Sequence, residues 1–347
     1  MKAVRLYEKN DIRIIDVPMP TINERELLIQ VKRAGICGTD MRIIKNGFPG
    51  VTADNPRTLG HEFSGIIAEV GSAVEGYSEG MRVTVAPNMG CGICDACVQG
   101  DQHLCRDYTA LGIQSDGGFA EYVRIPEQAI RFGNIVRIPD NVSDDAAALN
   151  EPLSCVYNGI KQCPVNPGDN VLIIGAGPIG LMYAMLAKMS GAGKVFINNR
   201  SPDRLRICKE VDSTFIPVGP EGIQERIYEL SEGKGIDMCV TANPSPEAQQ
   251  LAVELAAMKG RINFFGGLPK DRQMVNLNTN AIHYKQLMVT GTTKANNHHF
   301  HKTLQFIANG IIDVNPLISA RYPIEQFNEA LSYAGSSQGI KTLISFD

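Results

Sequence analysis

The sequence predicts an α/β protein in two parts, a β-rich first part followed by a doubly wound parallel sheet. Three observations predict it. Short alternating strands and frequent turns fill roughly the first 150 residues. Near Pro167 the texture changes, and apolar strands begin to alternate with helix-like segments. Just beyond it, "GDNVLIIGAGPIGLMYAMLA" runs from a strand through a glycine turn into a helix. At 347 residues the chain also exceeds the size at which a single core stops growing, so two domains are expected.

The elements follow in order. "ELLIQVKRAGI", "FSGIIAEVG", "GMRVTVAP" and "FAEYVRIP" read as half-buried strands of period two. "NVLIIGA" is a buried strand, and Pro178 to Met189 is a helix with proline early in it. "KVFIN" is the next strand, and "SPDRLRICKEV" opens with Ser and Pro as a helix should. "IDMCV", a helix from Pro246 to Met258, and "RINFF" continue the alternation, which implies a parallel sheet. The end of the chain mixes a helix around "FHKTLQFIANG" with strands such as "IKTLISF".

Charge excludes some functions. A net charge of −4 and a pI near 5.9 leave no basic footprint, so no nucleic-acid partner is expected. The start "MKAVRLYEKNDIRIID" is charged and alternating, unlike a secretory signal. The uncharged run from Val171 to Ala187 is short and broken by glycines, which fits a strand and helix better than a membrane span. A cytoplasmic protein is expected, and there clustered cysteines are metal ligands more often than disulfides.

The densest such cluster is "CGICDACVQGDQHLC". Cys91, Cys94, Cys97 and Cys105 can close a tetrahedral zinc site, which has no open position and is structural by default. C-x2-C-x2-C also opens iron–sulfur motifs, but here the fourth cysteine is distant and no proline follows it. Four unligated buried thiols are the remaining reading. A second candidate is spread over "AGICGTD", "LGHEFSG" and "NEPLSC", which offer Cys37, His61, Glu62 and Glu151. One thiolate, one imidazole and one or two carboxylates can hold zinc with a position left for substrate. Each residue also has a plainer reading: Cys37 as a small core residue, and His61 with Glu62 as a surface pair.

Gly175, Gly177 and Gly180 form G-x-G-x-x-G in the required strand–turn–helix context. With Pro178 and Ile179 they would seat a dinucleotide pyrophosphate on the helix N-terminus. The end of the next strand should carry an acid for the ribose diol. It carries Asn199, followed by Arg200 and then Arg204. Asn with two arginines suits a 2′-phosphate, so NADP(H) is expected over NAD(H).

Taken together, "GICGTD", "GHEFSG", the quartet loop, "DGGFAEY", "EPLS" and "GAGPIG" resemble, in order and spacing, the zinc-dependent medium-chain dehydrogenases over essentially the full length. The chain is most similar to their polyol branch, which includes the sorbitol, threonine and galactitol-phosphate dehydrogenases. The branch rests mainly on Glu151, which stands where the classical alcohol dehydrogenases have a zinc-binding cysteine. The resemblance implies a GroES-like catalytic domain over 1–155, a Rossmann domain over 156–292, a returning segment over 293–347, and a cleft between the domains. It implies two zinc ions per chain and a homodimer or homotetramer. Cys37, His61 and Glu62 would bind catalytic zinc, and Glu151 would bind it directly or through water. Asp40 would orient His61, and Thr39 would relay the alcohol proton. A polyol would then give hydride to the nicotinamide, with zinc acidifying its hydroxyl.

Some positions depart from that pattern. Arg42 stands where many members finish the relay with histidine, and arginine is no base at neutral pH. Lys294 replaces a pocket arginine, and Ala295 a neighbouring tyrosine. Arg42, Arg57 and Lys294 could form a site for an anionic substrate such as a sugar-alcohol phosphate or threonine; otherwise they are pocket walls or solvated. His298, His299 and His301 read as a polar helix start, and His283 as a structural histidine. A zinc-ribbon binding protein with a vestigial nucleotide fold is the non-enzyme alternative, weakened by the acidic pI and by a quartet without basic or aromatic neighbours.

Overall fold

The computed structural model describes residues 1–336 and 338–346, and the chain divides into two compact units. Met1–Ser154 and the chain from Lys294 onward make the first, and Cys155–Thr293 makes the second. The change of unit falls inside the helix Asn150–Gln162.

The first unit is mostly antiparallel. Its main sheet runs Ile135–Arg137, Arg82–Val85, Glu62–Val70, Leu27–Gly35, Lys341–Ser345 and Ile318–Pro323, with Tyr122–Ile125 also paired to Leu27–Gly35. Two registers position the site. Gly35 lies opposite Glu62 on one side and opposite Leu343 on the other. A strand from the far end of the chain therefore completes the sheet beside the first metal-binding stretch. Phe63, Phe119 and Phe327 share one core with Leu27, Ile29 and Ile344, so the C-terminal segment is bound in by apolar burial.

The second unit is a six-stranded sheet, parallel at every pairing. Its order is Ile216–Val218, Lys194–Asn198, Asn170–Ile174, Ile236–Thr241, Ala256–Phe264, Met288–Gly291. The chain starts in the middle, winds to one edge and then to the other. This doubly wound order puts a topological switch at the carboxyl ends of Asn170–Ile174 and Ile236–Thr241. The helix Pro178–Met189 has the bounds the sequence predicts. The next long one does not: helix Pro246–Leu255 stops short of Met258, because Ala256 turns to extended backbone and starts a strand. Lys259 in that strand takes φ of 59°, and the strand pairing shifts register nearby. Among the described residues no helix is long and apolar enough to cross a membrane.

Candidate functional site

Cys37 caps the helix Gly38–Asn46. Its sulfur accepts from the Thr39 N–H at 3.5 Å, and Asp40 Oδ2 accepts from the Cys37 N–H at 2.9 Å. This is a capping box in which cysteine replaces Ser or Thr and aspartate replaces Glu. The helix start thus fixes the thiol and the carboxylate as one unit.

The other oxygen of Asp40 lies 3.3 Å from His61 Nδ1, and both side chains are buried. The His61 backbone is set by glycines. Gly60 takes φ of 92°, and a Cβ there would press into the Phe119 ring at 2.7 Å. Gly117 packs on the Gly60 carbonyl, and Gly118 on the Phe63 ring. "DGGFAEY" is therefore the backing of the histidine segment, a role its sequence alone does not display.

Cys37, His61 and Glu62 bring their donor atoms within 4.8 Å of one another. Burial pushes the imidazole down, but Asp40 and then Cys37 outweigh it and hold His61 well above the usual histidine range. A half-buried thiol with a buried imidazole and carboxylate, and a second carboxylate behind the imidazole, form a donor set that fits zinc. A buried cation adjoins them. Lys341 Nζ pairs with Glu62 Oε2 and donates to Ile36 O at 3.0 Å. Burial alone would lower this ammonium, yet Glu62, ahead of Cys37, holds it above the usual lysine range.

The quartet is built differently. Cys91, Cys94, Cys97 and Cys105 converge within 4.8 Å, and none is in a disulfide. The Cys91 N–H donates to Cys105 Sγ at 3.3 Å. Backbone N–H groups of Ile93 and Cys94 draw the Cys91 thiol down to about 7. Burial drives Cys97 up to about 12. Four convergent sulfurs with one already acidified suit a closed zinc site.

In the second unit, Gly175 takes φ of 119°, and a Cβ at Gly180 would strike the Gly175 carbonyl. At Gly177 the nearest atom to a Cβ would be Arg204 Nη1, at 3.8 Å. Gly177 caps the helix Pro178–Met189 with no side-chain hydrogen bond, so its first N–H groups face outward for an anion. The cradle fits a dinucleotide pyrophosphate. Asn199 Oδ1 accepts from the Ala176 N–H at 3.3 Å and braces the loop. Arg200 is exposed beside it.

Residues 23–140 match the alcohol dehydrogenase GroES-like domain, and residues 178–309 the zinc-binding dehydrogenase domain. Sorbitol dehydrogenase of Bacillus subtilis is 33% identical over 337 residues, covering 96% of this chain and 93% of its own. The chain belongs to the zinc-dependent medium-chain dehydrogenases. L-threonine 3-dehydrogenase of Bacillus velezensis is 32% identical, covering 95% of this chain and 94% of its own. Two solved structures superpose with TM-scores of 0.90. One is an alcohol dehydrogenase from E. coli, described as short-chain and complexed with NADH, 29% identical and covering 100% of this chain and 99% of its own. The other is a zinc-binding dehydrogenase from Sinorhizobium meliloti bound to NADP, 31% identical and covering 99% of each chain. As a member of this family the dehydrogenase uses zinc and a nicotinamide dinucleotide.

The remaining sequence candidates distribute as follows. Thr39 is half-buried in the first turn after Cys37. Glu151 is buried but outside the three-residue cluster. Arg42 is exposed, and Arg57 Nε lies 3.6 Å from Asp116. Lys294 takes φ of 56°, donates to His103 O at 3.1 Å and sits 3.8 Å over the Tyr108 ring. Its neighbour Asn296 donates to Asp101 at 3.2 Å, so this segment clasps the quartet loop. His299 is buried within the capping box of the helix Asn297–Ala308, whereas His298 and His301 are exposed. His283 is an exposed residue in the last turn of its helix, not a buried structural one.

The residue that sequence reasoning missed is Lys341. Its signal was present: it is the one charge within the apolar strand "IKTLISF", and a buried lysine needs a partner.

Proposed function

We propose that this dehydrogenase interconverts a secondary alcohol of a polyol and its ketone, using NADP(H) in preference to NAD(H). The observation that carries the reading is the Cys37–His61–Glu62 cluster with Asp40 behind its imidazole. Zinc bound there supplies an acidifying charge for the alcohol hydroxyl. Asp40 holds His61 Nδ1 and so leaves Nε2 for the metal. Thr39 stands in the first turn beyond Cys37, where its hydroxyl takes the alcohol proton. Glu151 adds a carboxylate to the pocket wall or to the metal's water. The quartet holds a second, structural zinc, giving two per chain. The glycine loop orients the dinucleotide, whose nicotinamide accepts the hydride.

The similarity to sorbitol dehydrogenase supports the polyol. The similarity to threonine dehydrogenase supports the alternative of a 3-hydroxy amino acid. Paired rate assays separate them. Sorbitol, xylitol and galactitol are run beside their monophosphates and threonine, each with NAD+ and NADP+. A free polyol should give the highest kcat/KM, and a phosphate or threonine winning would replace the polyol reading. NADP+ should be preferred, resting on Asn199, Arg200 and Arg204. Asn199→Asp, which sets a carboxylate against a 2′-phosphate, should cut kcat/KM for NADP+ roughly tenfold and spare NAD+. Equal loss with both cofactors would reject that specificity role.

A further inference from the structure

Glu62 differs from the other members of its cluster in what surrounds it. Its Oε2 is paired with Lys341, a lysine only 2% exposed. The same ammonium is tethered to Ile36 O at 3.0 Å, one residue before Cys37. The Ile36 N–H in turn donates to Thr342 O at 3.0 Å, so strand pairing fixes the lysine's origin. Gly35 closes a further side. A Cβ there would collide with Glu62 Oε2 and come within 2.9 Å of Lys341 Cε. One carboxylate oxygen is therefore walled in by a cation, a backbone tether and a glycine chosen for lack of bulk.

The charge balance has the same sense. A divalent ion among a Cys37 thiolate and the Glu62 and Asp40 carboxylates leaves one negative charge over. Lys341 supplies the matching positive charge at the one carboxylate that is both a donor and paired with an ammonium. Buried lysines are rare without such a partner. This one also competes with a metal for the same group.

We propose that Lys341 is a positioning residue for the metal site, holding Glu62 Oε2 so that only Oε1 is offered to the metal. The inference rests on reading Cys37, His61 and Glu62 as the catalytic metal site. A carboxylate shared between two cations is a weaker ligand than one given wholly to the metal. The position a second oxygen would fill stays available to the substrate hydroxyl, and less ligand charge is donated to the metal. A merely structural Lys341 would instead tie the strand Lys341–Ser345 to the end of Leu27–Gly35 and leave the metal indifferent.

The test uses the full chain loaded with zinc, or with cobalt as a visible probe, comparing wild type, K341M, K341R, E62Q and K341M/E62Q. Chelator competition reads affinity at the site other than the quartet. K341M should hold that metal about tenfold more tightly, the size of shift residues behind metal ligands produce but of opposite sign, because the ammonium competes with the metal for Glu62. Its cobalt absorption should change in the direction of higher coordination number, and kcat should fall more than KM changes. K341R should return towards wild type. In the E62Q background K341M should shift neither affinity nor spectrum, since its effect runs through the carboxylate. Should K341M not fold, K341Q, which keeps a donor for Ile36 O, carries the same comparison. Unchanged affinity and spectrum in K341M would overturn the proposal, as would a shift of equal size with and without Glu62. Wild type taking up only quartet metal would instead overturn the metal-site reading beneath it, a separately visible result.

Discussion

The four sulfurs of the quartet come from residues 91 to 105, whereas the other cluster is gathered from Cys37, from His61 and Glu62, and from Lys341 near the end of the chain. The quartet closes by local turns and a short helical segment, with Ile93 and Val98 left exposed on its surface. In the second cluster His61 and Glu62 are buried and Cys37 half-buried, and every member has a partner that is not a metal ligand: Asp40 for His61, Lys341 for Glu62, the helix start for Cys37. A loop that supplies all its own ligands can saturate a metal and needs little from the fold. A site that must keep a position open needs ligands restrained from outside, and that restraint comes from the start of the helix Gly38–Asn46 and from the sheet. The difference explains why one metal would stabilise and the other would react.

Substitutions can break this comparison. The largest effect is expected from Cys37→Ser. Turnover should fall about a thousandfold or more, as loss of a metal's acidifying charge costs several kcal/mol in the barrier. Melting temperature and quartet metal should hardly change. A Cys37→Ser enzyme with near-normal kcat would remove this cluster from the chemistry. Cys94→Ser should do the opposite. It should lose one metal and lower Tm by roughly 5–10 °C, on a scale of about 2–4 °C per kcal/mol, while kcat of the folded fraction stays within a few fold. Equal loss of Tm in both variants would erase the contrast. A subtler probe is Gly35→Ala, which forces a methyl against Glu62 and Lys341. It should cost about 1–3 kcal/mol by overpacking. Metal content should drop at the open site and not at the quartet, as metal analysis before and after dialysis would show.

Legibility in the sequence followed the same division. The quartet could be read from spacing, and the glycine loop from its strand and helix, because these motifs are local. Helix Pro178–Met189 could be bounded because its proline start is local too. The strand Ile216–Val218 went unread, being three residues with a proline at a sheet edge. The end of helix Pro246–Leu255 was misplaced because "LAAMKG" suits a helix, and only pairing with Ile236–Thr241 draws it into a strand. The contacts of Lys294 with Tyr108 and His103 could not be read, because they depend on packing between segments far apart in sequence.

By itself, then, the sequence determined the candidate ligand types, the two candidate metal-binding stretches, the nucleotide loop and the doubly wound sheet, since each depends on contacts a few residues apart. Beyond Asp40, the tertiary structure alone decided what restrains them. Strand register sets Gly35 opposite Glu62, a returning C-terminal strand brings Lys341 to the same carboxylate, and Gly117 is packed behind His61. These contacts join segments whose separation along the chain carries no periodic signal, and they exist only once the sheet has closed.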